Sequence, residues 1–234
     1  MCKAERTSIR TREAANGMAV IHHTTLKPTK TELLAGWLPG RPWYRGGPAP
    51  VLEKSGGFRL DDPEGEVGIE FIVATDTASP GRTAYLAPLT YRGAPLEGAA
   101  HALVGTMEHG VLGTRWVYDG CHDPVLVAQL LALIEGRAQA MAQSVSDTPD
   151  REVIRSCAAA PLSLDGFTPE PADDADGTRL PAPDGTVLRV HRVLEPVAGQ
   201  RPPAPQDALG HVAAGWPGPD DSRLWAVFMT LSRA

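Results

Sequence analysis

An α+β fold, with an antiparallel sheet covered by a long helix and a smaller β-rich part after it, is what this 234-residue sequence predicts. Three observations carry the prediction. Residues 66–76 alternate, with Val67, Ile69, Phe71 and Val73 on one side and Gly68, Glu70, Ile72 and Ala74 on the other, the two-residue period of a strand. Residues 85–92 alternate again after the turn signal Ser79-Pro80-Gly81, so the two segments read as an antiparallel hairpin. From Pro124 the period changes, and Val127, Leu130, Leu131, Ile134, Ala138 and Met141 fall on one helical stripe.

The elements follow in order. Residues 1–17 are polar and basic, with Arg6, Arg10 and Arg12, and read as a disordered extension with Met18 as an alternative start. Residues 19–23 form a first strand. Thr29-Lys30-Thr31-Glu32 has the spacing of a capping box, in which each end satisfies the other's free backbone donor. A short helix through Leu33, Leu34 and Trp37 should follow, stopped by Pro39-Gly40. Arg41-Pro42-Trp43-Tyr44-Arg45 opens a Gly/Pro-rich loop that ends near Lys54.

Beyond the 85–92 strand, a Gly/Pro turn and an apolar segment lead to Glu108-His109-Gly110 and a strand carrying Arg115-Trp116-Val117-Tyr118-Asp119. Asp123 supplies the N-cap of the long helix, and Pro124 sits at its first position, where a missing donor costs nothing. Burying each large member of the stripe is worth roughly 1.5–3 kcal/mol. Gly136 inside it would cost about 1 kcal/mol, which makes it the place for a kink or break. A boundary falls near Asp150, separating a first domain over 18–149 from a β-rich segment over 150–234. In that segment Pro183-Asp184-Gly185 is a hairpin turn, 200–205 a loop, and 186–194, 209–216 and 224–231 are strands.

Composition excludes several classes. A formal charge of −6 argues against nucleic-acid binding, which needs a basic face. No run of about 18 apolar residues is present to cross a membrane. The N-terminus has no apolar stretch of the signal-peptide kind, and three cysteines (Cys2, Cys121, Cys157) without metal-type spacing fit a reducing compartment, so a cytoplasmic location is expected.

Several motifs have a recognisable source. Glu32-Leu33-Leu34-Ala35-Gly36-Trp37-Leu38 with Arg41-Pro42-Trp43-Tyr44, Pro88-Leu89-Thr90-Tyr91-Arg92, the stretch 105–113, and Val117-Tyr118-Asp119 with His122-Asp123-Pro124 resemble the N-terminal cap domain of actinobacterial maltokinases. The resemblance covers about 18–144. It implies a curved antiparallel sheet in a cystatin-like arrangement and a link to maltose, trehalose or α-glucan metabolism. Residues 186–196 resemble the kinase strand that carries the ATP-binding lysine, with Arg189 about where that lysine is expected, and 209–231 resembles the last strands of a kinase small lobe. No H-G-D catalytic loop or metal-binding aspartate segment occurs within these residues, and phosphoryl transfer needs both. The expectation is a free-standing cap-like protein that is not a kinase on its own.

The residues leave two functional readings. In the first, the protein is a non-catalytic binding or regulatory protein that meets a protein partner of α-glucan metabolism, or a sugar or other small-molecule ligand, through Trp37, Trp43, Tyr44 and Trp116. In the second, the concave sheet face is an active site in which Glu70, His109 and Asp119 supply acid and base groups. Cys121-His122 beside Asp119 is better explained as the turn into a capped helix than as a nucleophile and its base. His22, His23, His101, His109 and His122 show no ligand spacing, and adjacent His22 and His23 in a strand point to opposite faces. Neither a metal nor another cofactor is expected.

Overall fold

The computed structural model describes residues 26–78, 81–143, 145, 147–158, 170–182, 184–219 and 222–233. The extension over 1–17, the start at Met18, the strand over 19–23 with His22 and His23, and the Ser79-Pro80 pair of the turn lie outside them.

Strand β1 (Leu26–Lys27) leads into helix α1 (Lys30–Trp37), where the capping box forms as the spacing requires. The Thr29 side chain accepts from the Glu32 amide, and the Glu32 carboxylate accepts from the Thr29 amide at 2.7 Å. A 3-10 turn over Leu38–Gly40 ends the segment. Strands β2 (Leu52–Leu60), β3 (Gly68–Asp76), β4 (Ala84–Arg92), β5 (Leu103–His109) and β6 (Gly113–Asp119) follow, then helix α2 (Pro124–Glu135) and the short β7 (Met141–Ala142). The strands pair antiparallel in the order β1-β5-β6-β4-β3-β2-β7, making a curled sheet. Most of β2 lies past the loop expected up to Lys54. Its Ser55-Gly56-Gly57 centre disguises it, because the register shifts between Lys54 and Gly56 and a side chain at Gly56 would collide with Trp216.

The long helix is a correction. Helix α2 has 12 residues and ends at Gly136, whose φ of 83° is left-handed and whose amide bonds back to the carbonyls of Ala132 and Leu133. Gly136 therefore terminates the helix instead of sitting inside it. Ala138 and Met141 leave the stripe, and Met141 pairs with Arg59 of β2. The helix start is as expected: the Asp123 side chain accepts from the Val125 amide, and Pro124 occupies the first turn.

A second antiparallel sheet is built from β8 (Val153–Cys157), β9 (Ala172–Asp173), β10 (Gly177–Pro181) and β11 (Thr186–His191) with later strands. After β11, the two-residue β12 (Val193–Leu194) leaves this sheet and pairs with Ala84 and Tyr85 of β4, so the strand expected over 186–194 divides at Arg192. Strands β13 (Val197–Ala198), β14 (Gly210–Pro217) and β15 (Arg223–Arg233) complete the second sheet, in the order β8-β14-β15-β11-β10-β9 with β13 beside β15.

Two apolar clusters divide along the parity of β3. Val67, Ile69, Phe71 and Val73 face a core shared by both sheets, in which Phe58 stacks on Phe71 at 4.5 Å and Phe228 and Trp216 of the second sheet close over them. Leu126, Leu130 and Ile134 of α2 join that core. Much of the covering layer expected of a long helix is thus supplied by the second sheet. Ile72 and Ala74 face the opposite way, onto Leu34 and Trp37 of α1, Leu38, Trp43, Tyr85 and Leu89. Among the described residues, no helix is long and apolar enough to cross a membrane.

Candidate functional site

Glu70 sits mid-strand in β3 on the α1 side and is 4 % exposed. Its carboxylate meets the ammonium of Lys30, the first residue of α1, and that of Lys54 in β2 at 3.1 Å. It also accepts from the Tyr91 hydroxyl at 2.9 Å and the Gln143 amide at 3.0 Å. Burial pushes its carboxyl up, but the two lysine charges and the hydrogen bonds outweigh burial and the net direction is down. Glu70 is an ionised, saturated acceptor, a weak base that fastens α1, β2 and β4 together. The Tyr91 hydroxyl is pushed well up by burial and by the neighbouring Glu70 charge, so it stays a donor.

Asp119 ends β6 and is buried against Arg192, a residue for which no role was expected. Arg192 Nη2 donates to both Asp119 carboxylate oxygens, at 2.6 and 2.7 Å, and Nε donates to Thr178 Oγ1 at 2.8 Å. The guanidinium carbon lies 5.2 Å from the centre of the Trp43 ring, and the residue is wholly buried. Its carbonyl accepts from the Leu86 amide at 2.9 Å. Strand β4 pairs with β6 over Leu89–Arg92 and with β12 at Ala84 and Tyr85, and Arg192 fills the gap between those two partners. Its signal is parity: in Val187-Leu188-Arg189-Val190-His191-Arg192, Arg192 shares the phase of Leu188 and Val190, which face the core.

His109 does a different job at the other end of β6. It lies opposite Gly113, and its Nδ1 accepts from the Val111 and Leu112 amides at 3.3 and 3.1 Å, tying the β5–β6 turn. Six residues of strand separate Gly113 from Asp119, about 20 Å at the usual rise. Glu70 stands two strands from Asp119 through Leu89. The structure does not bring Glu70, His109 and Asp119 together. Cys121 is buried and accepts from Arg192 Nη2, and burial holds its thiol well above the usual range.

Three of the four expected aromatic contacts do gather. Trp37 and Trp43 meet edge-on at 5.6 Å, and Trp43 and Tyr44 both pack on Tyr85, at 6.1 and 5.2 Å. Trp37 is 8 % exposed and Trp43 is fully buried, so these two rings serve the core beneath α1 and present no face to a ligand. The Tyr44 hydroxyl donates to Asp76 at 2.8 Å. Trp116 is apart from them, packed on a small cluster of Ala99, Ala102 and Tyr118. On the outer face of the second sheet a groove of about 810 Å³ is lined by Arg45, Asp176, Arg189, His191 and Glu195 among others. Two of its arginines are held in pairs: Arg189 grips Asp174 at 2.7 and 2.9 Å, and Arg45 meets Asp176 at 2.8 Å. The Arg189 hydrogen bond leads in holding the Asp174 carboxyl at about 2.

A curled antiparallel sheet with one face closed by a capped helix, and with Glu70 and Asp119 held in internal ion pairs, defines an α+β module in which Glu70, His109 and Asp119 stand apart. Residues 37–123 match the family model of the maltokinase N-terminal cap domain, and this part of the chain is a cap-like domain. The match begins at the last residue of α1, contains β2 to β6, and ends at the N-cap of α2. It spans well under half of the chain and leaves out the second sheet. No curated protein matches the chain.

Proposed function

We propose that the protein is a non-catalytic binding or regulatory module of maltose, trehalose or α-glucan metabolism, acting through a protein partner. The observation that carries this reading is the contrast between the α1 face and the sheet rim. The face that an enzyme would leave open is filled by Leu34, Trp37, Leu38 and Trp43, and Glu70, buried on it, is neutralised by two lysines. At the tip of the β5–β6 hairpin, Val111 and Leu112 are 60 % and 47 % exposed, and Leu103 at the start of β5 is also exposed. Apolar side chains displayed at a hairpin tip are suited to a protein surface, whereas a sugar needs polar groups that converge in a concave site.

The test is native mass spectrometry of the chain isolated gently from its own host, alongside a Val111→Asp/Leu112→Asp variant. The expected result is a stoichiometric protein companion that the variant loses while keeping its circular dichroism spectrum. A bare chain, or a companion held equally well by the variant, would overturn the reading. A stoichiometric small molecule in place of a protein would move the function to a ligand-binding or enzymatic one.

A further inference from the structure

The 3-10 turns over Ala100–Ala102 and Gly120–His122 place two histidines edge to face, with ring centres 4.8 Å apart and planes at 81°. His101 Nε2 and His122 Nδ1 are 3.1 Å apart. One of those nitrogens must carry the proton of the hydrogen bond and the other accept it. Both side chains line a cleft of about 440 Å³ whose wall also carries Glu97 and Glu170. Two imidazole nitrogens bound to one tetrahedral zinc at about 2.0–2.1 Å stand about 3.3 Å from each other. The pair is thus already spaced as two donors on one ion, in a cleft with room for water and with carboxylates at its edge.

We propose that His101 and His122 form a binding site for a divalent transition ion of the zinc type, with Glu97, Glu170 or water completing the coordination. Among the described residues no three His, Cys, Asp or Glu side chains are already gathered as a ligand set. The site is therefore a two-histidine clip that recruits its remaining ligands as the ion arrives. When zinc binds, the shared proton passes to the other nitrogen of its own ring, so both imidazoles stay neutral and each presents a lone pair to the ion. A bound ion would pin the turn before β5 to the turn before α2.

The test uses the untagged full chain in a Cys2→Ala/Cys157→Ala background, which removes competing thiols, titrated with zinc chloride by calorimetry at pH 7.5. One ion per chain is expected. His101→Ala and His122→Gln should each weaken binding roughly tenfold or more. Zinc should raise the melting temperature of the parent and leave that of His101→Ala unchanged. His101 is exposed, so its variant decides the matter even where His122→Gln folds poorly. Failure of the parent to bind zinc, or undiminished binding by His101→Ala, overturns the proposal.

Discussion

Replacing Arg192 by methionine strands the Asp119 carboxylate in the interior with one backbone donor, the Cys121 amide, still in reach. Breaking one partner of a fully buried ion pair costs about 3–5 kcal/mol, because the remaining charge is uncompensated. Urea unfolding should show a loss of that order for Arg192→Met and for Asp119→Asn a smaller one. The Arg192→Met/Asp119→Leu double variant should recover much of it. Additive losses would mean that the two side chains act independently. Glu70 makes a pH prediction. Its folded pKa lies below its unfolded value of about 4.3, so the stability it adds is fully present above that value and is lost as the pH falls through the folded pKa. Urea midpoints followed from pH 7 to 3 should fall more steeply for the wild type than for Glu70→Gln, and parallel curves would contradict the assigned role. The side of the sheet that Glu70 occupies was legible from the alternation of residues 66–76. Its two lysine partners were not, since Lys30 and Lys54 approach only when α1 and β2 fold against β3.

Helix α1 is the element read most directly, because a capping box is a local code: four consecutive residues contain both hydrogen bonds. Thr29→Ala removes the side-chain acceptor for the Glu32 amide and should destabilise the fold by about 0.5–2 kcal/mol in thermal or urea unfolding. An unchanged midpoint would mean that packing of Leu34 and Trp37 holds the helix without its cap. Helix α2 was overextended for a reason that local pattern does not resolve: an apolar stripe continues past Gly136, but the chain there has already turned left-handed. Gly136→Ala would force a Cβ into that turn and against the Arg155 guanidinium, so it should destabilise the protein instead of lengthening the helix. Strand β2 was the converse case. Two glycines at its centre interrupt any side-chain pattern that would reveal it, and one of them is required where Trp216 crosses close to the backbone. That requirement comes from a residue about 160 positions away in the sequence, beyond any local window.

At the scale of the molecule, the cap-like match accounts for most of one sheet, while the packing depends on two. The apolar phase of β3 announces that a face is buried and is silent on what buries it; Trp216 and Phe228 come from strands outside the matched stretch. The Pro, Asp and Gly content after Asp150 suggested a boundary, because polar turns mark the surface passage of a chain. A shared core and the return of β12 to β4 argue that the two sheets unfold together. Trp216→Ala should cost about 3–5 kcal/mol, as expected for emptying the site of a fully buried tryptophan. Hydrogen exchange should then show protection falling in β2 and β3 as well as in β14 and β15, since a cooperative unit loses stability throughout. A fragment covering 26–150 alone would leave Phe58, Phe71 and Val73 without their cover and should bind a hydrophobic dye. Protection lost only in the second sheet, together with a fragment that folds cooperatively and ignores the dye, would instead make the cap-like sheet an autonomous unit whose neighbour is an attachment.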